Sequence, residues 1–382
     1  MNKKKILIVH NVLWSHYAGK VFNEIYKICT DNNIDFYVIH IAKTSGNRKL
    51  GGIDYSLHEY PYEVLFNGDI EAISFIIRFK YLLKKIRKYN PDVILTSGYN
   101  DLALDLIVFL NKIKGKKTIF QTDTTYFDKQ RSLLKEFFKR NLLKIFDYAF
   151  CVGTAQINYL KTLNFNIERI FKVSWYAVDS EQILATFSES FAKRINTIEK
   201  LNLMNKNFIY AGRLSAEKNL KTLISVFKEV KNNGGKDWGL IIVGDGADRE
   251  ELEKIVRVQN IPNVFFAGGV FWKDVPKYYA LSDVFILPSL SEPWGLVVNE
   301  AMICGLPVIV SKKAGSAELI KENENGFIFN PNDKSGLISI MLKFTNNEVD
   351  AKKMSESSKN MIKNYSPKKS AEGIIKSIIS IL

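Results

Sequence analysis

The sequence predicts an α/β protein made of two doubly wound domains, and three observations carry that expectation. Short apolar runs alternate with longer amphipathic ones through the first half, the alternation resumes after a polar interval, and the 382 residues exceed what one hydrophobic core usually supports. Composition fits a folded globular chain and no fibrous or disordered class: 46% of residues are hydrophobic, 25% are charged, and no low-complexity tract interrupts them.

The N-terminus superficially resembles a signal peptide. His10, Asn11, Ser15 and His16 interrupt its apolar run and no small-residue cleavage site follows, so Lys5–His10 reads as the first strand. Further strands are expected at Asp35–Ile41, Asp92–Thr96, Lys117–Gln121, Ala149–Val152 and Ile170–Val173, with helices near 19–31, 69–89, 101–113, 131–146 and 154–163. Asn90–Pro91 and Gly115 punctuate the third and fourth units. Between about 174 and 206 the pattern weakens into a polar helical segment and the loop Asn202–Asn207, and the domain junction is expected there.

A second set follows: strand 208–211, helix 219–232, strand 238–243, helix 248–258, strand 263–267 and helix 275–281. After it come strand Val284–Leu287, helix Leu296–Ile303, strand Val308–Val310, strand Gly326–Phe329 and helices near 333–345, 348–364 and 367–381. Pro367 suits a helix start, which separates the last helix from the one before it. The expected division is therefore 1–177, 178–366 and a final helical segment 367–382 able to cross back to the first domain.

No apolar run reaches the length of a membrane span. Cys29, Cys151 and Cys304 lack metal-ligand spacing and suggest a reducing cytosol. The formal charge of +14 is unevenly placed: through Trp175 there are 27 Lys and Arg against 16 Asp and Glu, and beyond it 27 against 24. A basic first half implies an anionic partner, whether lipid surface, lipid-linked phosphate or nucleic acid. Nucleic acid is disfavoured because the basic residues do not interleave with an RNA- or DNA-binding motif. Two helices carry the excess, Ile76–Tyr89 and Arg131–Phe146. Each sets an apolar stripe between Lys and Arg margins, which fits either a core-facing stripe or peripheral contact with anionic lipid.

The most informative stretch is L-P-S-L-S-E-P-W-G-L-V-V-N-E-A-M-I-C-G-L-P-V-I-V-S, Leu287 to Ser311. Pro293 keeps Glu292 in extended backbone outside the helix. Gly295 permits the tight turn into the helix, and Gly305 stops it. Amides near Gly295, Leu296 and Val297 then face out at a helix N-terminus, which attracts phosphate. Glu292 and Glu300 flank that terminus, and carboxylates suit sugar hydroxyls. Phosphate and hydroxyl recognition side by side point to a nucleotide sugar. A second phosphate element, Ala211–Gly212–Arg213–Leu214–Ser215–Ala216–Glu217–Lys218, follows a strand; Arg213 and Lys218 can neutralise a departing diphosphate.

The first stretch resembles the E-x7-E signature of retaining glycosyltransferases of family 4, and the second resembles their G-R-L-x-x-x-K. The resemblance spans most of 205–345 and implies a GT-B fold, with two Rossmann-like domains facing a cleft where ligands bind at the carboxyl ends of both sheets. It implies that Glu292 holds the donor sugar's hydroxyls and Glu300 the ribose, with Arg213 and Lys218 on the diphosphate. By the same resemblance Gly244, in V-G-D-G, lines the nucleotide cleft, while Gly268 and Val270 sit where relatives clasp the base. No D-x-D occurs, so no metal is expected.

In the first half, family members carry a glycine-rich loop after the first strand, and here only Tyr17–Ala18–Gly19–Lys20 stands there; Gly19 is the candidate for letting the helix start approach the donor. Gln121–Thr122–Asp123–Thr124–Thr125 resembles the S-D-S variant of bacterial polysaccharide glycosyltransferases, which makes Asp123 a candidate for acceptor-hydroxyl recognition, against a helix N-cap role.

The implied activity is metal-independent transfer of a hexose-type sugar, with retention, from a nucleoside diphosphate, UDP favoured over GDP. The acceptor would be a glycan or a lipid-linked glycan of surface polysaccharide or glycoconjugate assembly, at the cytoplasmic face. A nucleotide-sugar epimerase on the same fold, and a non-catalytic membrane-surface or nucleic-acid-binding protein, are the alternatives.

Overall fold

A computed structural model describes residues 3–46, 52–99, 101–128 and 131–382. They form two compact units, 1–177 with 366–382, and 178–365.

The first unit opens with β1 (Lys5–Val12), α1 (His16–Asp31), β2 (Asp35–Thr44), β3 (Tyr62–Asp69), α2 (Phe75–Tyr89), β4 (Val93–Ser97) and α3 (Leu102–Ile113). It continues with β5 (Lys117–Thr122), α4 (Leu133–Leu143), β6 (Tyr148–Cys151), α5 (Thr154–Thr162) and β7 (Ile170–Lys172). The strands make one parallel sheet in the order β3-β2-β1-β4-β5-β6-β7. Strand side chains alternate between two cores. Ile6, Ile8, Val38 and Leu95 meet α1 on one face, and Leu7, Val9, Ile39 and Ile94 meet α2 and α3 on the other.

One strand departs from expectation. The sequence pattern predicts six strands here and a helix from 69; the structure has a seventh strand, β3, and α2 starts only at Phe75. β3 lies at the sheet edge, half-buried along most of its length, so its sequence shows neither a continuous apolar run nor a clean alternation. Helix ends shift as well: α1 begins at His16, ahead of 19, and α4 covers less than the expected 131–146.

The second unit begins with α6 (Ser180–Ala192) and α7 (Arg194–Lys200), which resolve the polar interval. Then come β8 (Lys206–Ala211), α8 (Leu220–Asn232), β9 (Trp238–Val243), α9 (Arg249–Val258), β10 (Val264–Gly268), α10 (Val275–Tyr279), β11 (Val284–Leu287) and α11 (Leu296–Ile303). β12 (Val308–Ser311), β13 (Gly326–Phe329), α12 (Lys334–Thr345) and α13 (Ala351–Ile362) complete it. Its sheet order is β10-β9-β8-β11-β12-β13, all parallel. The apolar runs of β9, β11 and β12 are buried throughout, as a parallel sheet covered on both faces requires.

The last helix, α14 (Pro367–Ile379), packs with the first unit. Ser366 caps it by accepting from the Lys369 amide, and Ala371, Ile374, Ile375 and Ile378 form one buried stripe in the α1 core. Among the described residues no helix is long and apolar enough to cross a membrane.

Candidate functional site

In the second sheet the chain winds outward from β8 through β9 to β10, then returns to the other side of β8 with β11. The loops leaving β8 and β11 therefore part in opposite directions, and their carboxyl ends define the switch point where open parallel sheets bind ligands. Both motifs singled out in the sequence leave from this point.

Hydrogen bonds join the two loops. The Leu290 amide donates to the Glu217 carbonyl at 2.8 Å, and Asn219 Nδ2 donates to the Pro288 carbonyl at 3.2 Å. Asn219 adopts φ +59, a left-handed conformation that asparagine tolerates, and so turns the chain from a short 3-10 segment at Ala216–Lys218 into α8. The result brings Lys218 Nζ within 2.5 Å of Glu292 Oε2, with the two side chains 11% and 14% exposed. Arg213 behaves differently. Its side chain is 67% exposed and lies 3.6 Å from Glu217 Oε1, while its carbonyl accepts from the buried Tyr210 hydroxyl at 2.7 Å. Burial, with Glu292 nearby, pushes the Tyr210 phenol well above its usual range, so it stays a donor.

The entrance to α11 is built as expected. Gly295 takes φ +92, and a Cβ there would stand 2.9 Å from Leu287 Cδ2 and 3.1 Å from Glu292 Cγ. Val298 is the first amide of the helix to find a backbone partner, the Gly295 carbonyl at 2.9 Å. Among the described residues the amides of Gly295, Leu296 and Val297 make no backbone hydrogen bond, which leaves the anion-attracting end open. Glu300 lies deeper: it is 7% exposed and accepts from the Tyr279 hydroxyl at 3.0 Å, so α10 fixes its position from behind.

Gly244 touches the site through backbone. With φ +138, its Cβ would fall 1.8 Å from the Gly212 carbonyl oxygen, and its amide donates to the Gly268 carbonyl at 2.8 Å. The ends of β8, β9 and β10 are thus stitched into one surface. Gly268, with φ +78, turns the chain towards Val270, which is half-buried, and Arg249 from α9 reaches within 3.3 Å of where a Gly268 Cβ would be.

Sequence reasoning missed the third wall. After β12, the Gly315 amide donates to the Glu292 carbonyl at 3.0 Å, and the Ser316 amide donates to the Trp294 carbonyl at 2.9 Å. A Cβ on Gly315 would meet the Pro293 carbonyl at 2.1 Å, and Ser316 Oγ is buried 3.3 Å from a Cβ position at Gly295. The signal was present in Ala314–Gly315–Ser316, small residues just past a strand end, as at Gly212 and Gly244. Tyr210 and Tyr279 carried no comparable signal, since buried tyrosines on strands and helices read as core.

The remaining candidates, Gly19 and Asp123, belong to the first unit. Gly19 lies in the first turn of α1, where a Cβ would come 2.8 Å from the Leu57 carbonyl; close packing against 57–58 accounts for the glycine. Asp123 follows β5 with its side chain exposed, and its carbonyl accepts from Gln156 Nε2 at 3.1 Å. No helix begins at Asp123, so the N-cap alternative falls away. Among the described residues no group of three or more His, Cys, Asp and Glu could hold a metal ion, and the three cysteines are buried free thiols.

Residues 192–373 match the family model of group 1 glycosyl transferases. The chain is 37% identical over 155 residues to the sulfoquinovosyl transferase SQD2 of Arabidopsis thaliana, covering 38% of this chain and 29% of that protein. It is 32% identical over 153 residues to the 2-deoxystreptamine N-acetyl-D-glucosaminyltransferase of Niallia circulans, covering 40% of this chain and 39% of that one. The chain therefore spans less than half the length of these two curated relatives. Among solved structures, Alr3699/HepE of Anabaena in complex with UDP superposes with a TM-score of 0.77 at 17% identity, covering 98% of this chain and 100% of that one. That likeness identifies the fold as GT-B.

Proposed function

We propose that the chain is a retaining glycosyltransferase that moves a hexose-type sugar from a nucleoside diphosphate, UDP favoured, to a hydroxyl of a glycan or lipid-linked acceptor in polysaccharide or glycoconjugate assembly. The observation that carries this reading is the Lys218–Glu292 pair at the switch point, beside the open amides of α11. Lys218 and Glu292 neutralise each other in the observed ion pair. A diphosphate at the α11 terminus offers Lys218 a second anionic partner, and Glu292 is released to accept hydrogen bonds from the donor sugar. Arg213, exposed on the same loop, supplies a mobile second cation. Glu300, held by Tyr279, is the candidate for the ribose hydroxyls, and Gly244, Gly268 and Val270 for the wall along the nucleoside. Asp123 is the candidate for the acceptor hydroxyl.

As the anomeric carbon–phosphate oxygen bond breaks, negative charge grows on the diphosphate, and fixed cations with helix amides stabilise that charge most in the transition state. The acceptor oxygen bonds to the anomeric carbon from the face the leaving group vacates, and its proton passes to the departing phosphate. The family alignment with group 1 glycosyl transferases and the UDP complex of the Anabaena structure support this choice. The test is product analysis with a labelled UDP-hexose, with and without glycan acceptors. Labelled glycoside of unchanged anomeric configuration, formed only with acceptor, is expected; a free epimerised sugar formed without acceptor would replace this reading with the epimerase.

A further inference from the structure

The first unit turns apolar side chains outward that its own fold leaves uncovered. α3 buries Leu104, Ile107 and Val108 against the sheet. Its opposite side stays apolar: Leu102, Leu106, Phe109 and Ile113 recur at helical spacing and are 43% to 69% exposed. A helix apolar all round belongs inside a protein or a membrane. Here one side meets solvent.

Over the first turns of α4 the usual polarity is reversed, and only Leu142 and Leu143 in its last turn meet the core. Towards the protein it presents charge: Glu136 accepts from the buried Tyr159 hydroxyl at 2.7 Å, and Lys139 donates to that hydroxyl at 2.9 Å. Arg131, just before the helix, donates to it at 2.8 Å and stacks over its ring. Towards solvent the helix presents Leu133, Leu134, Phe137 and Phe138, 58% to 94% exposed. α2 adds Ile76 and Tyr81, 60% and 49% exposed. α2 packs on α3, and Lys112 of α3 donates to the Lys144 carbonyl just past α4 at 2.9 Å, which ties the C-terminal ends of α3 and α4 together. Exposed apolar side chains gathered on neighbouring helices in this way mark a docking face.

Charge decides the occupant. Residues 75–144 hold 16 Lys and Arg against six Asp and Glu. Asp101 is paired with Arg78 and Glu136 with Lys139, which cancels two charges of each sign, and Asp105 is buried. Lys80 and Lys84 on α2, and Lys135, Arg140 and Lys144 on α4, stand exposed around the apolar residues. A second copy of this chain would bring the same positive face and be repelled. Anionic lipid satisfies both parts: phenylalanine and leucine enter the headgroup–acyl boundary while the lysine and arginine heads remain at the phosphates.

We infer that the outer face of α2, α3 and α4 docks peripherally on an anionic lipid bilayer. The donor-motif residues belong to the other unit, so docking and sugar transfer can be separated by variants. The test is flotation of the full chain with vesicles of phosphatidylcholine alone and with about 30% phosphatidylglycerol at physiological salt. The expected result is binding about tenfold or more tighter to the anionic vesicles, lost by about tenfold in Phe137→Glu/Phe138→Glu and likewise in Leu106→Ser/Phe109→Ser, with melting temperatures unchanged. Three results overturn the inference: no vesicle binding by the native chain, equal binding by both variants, or a concentration-dependent dimer abolished by these substitutions without any lipid affinity. Lipid binding that persists in a protein failing every sugar-transfer assay would remove the proposed activity and leave this inference standing.

Discussion

Lys218 and Glu292 test the chemistry residue by residue, because removing one charge does two different things. On the proposed mechanism Lys218→Ala removes a cation from the transition state, an expected loss of about 2.7–4 kcal/mol of stabilisation or 10²–10³-fold in kcat. It also leaves a mostly buried carboxylate without its partner, at about 1–3 kcal/mol of folding stability. Lys218→Met with Glu292→Gln removes both charges together, so it should recover most of the stability and none of the turnover. Melting curves and steady-state rates on the two proteins separate these contributions; recovery of turnover in the pair would show that the residues serve the fold alone.

All four histidines, His10, His16, His40 and His58, belong to the first unit. His40 lies 5.4 Å from His10 and 5.8 Å from His58, ring to ring. Burial lowers His16 and His58 to about 4, with Asp54 opposing, and burial lowers His40 well below 6.5, helped by its histidine neighbours. Folded values below unfolded ones mean stability that is complete above about pH 6.5 and lost as pH falls towards 4. Asp105 acts in the opposite sense: burial, then Asp101, raises it to about 7, so its contribution is lost as pH rises through 7. The imidazoles outnumber the carboxyl, and His58 alone forfeits on the order of 2 kcal/mol by pH 5. The melting temperature should therefore fall between pH 7.5 and 5, and fall more steeply in Asp105→Asn; a flat profile in both proteins would contradict these assignments.

At the scale of elements, the loops at the carboxyl ends of β8, β9 and β11 owe their shape to glycine. Gly244→Ala would drive a Cβ into the Gly212 carbonyl and displace the Arg213 loop. Gly115→Ala is the control, since at φ +75 its Cβ would stand in open space. The control should lose about 1 kcal/mol or less, and Gly244→Ala about 1–3 kcal/mol together with UDP affinity. Equal losses measured by denaturant unfolding would mean that the contact between the loops is unimportant.

The elements that could be read in advance were those with a physical signature in the chain. β11, α11 and β12 were legible because a fully buried strand is a continuous apolar run and glycine or proline marks each boundary. β3 was not, because an edge strand keeps its residues half-exposed. Within the site, Gly212, Gly295 and the cations announced themselves by type and position. The Tyr279–Glu300 contact and the Gly315 wall did not, since each depends on elements that only the sheet order brings together.

For the whole molecule, the basic excess and the donor motifs fall in different units, and so do the two activities attributed to them. One measurement bears most directly on the nucleotide-sugar reading: the melting temperature of the native chain and of Lys218→Met/Glu292→Gln in a series of UDP, GDP and ADP. UDP at a hundred times its Kd should stabilise the native chain by about 2.7 kcal/mol, with a smaller shift in the variant. If no nucleoside diphosphate moves the native melting temperature, the switch point of the second sheet is not a donor site.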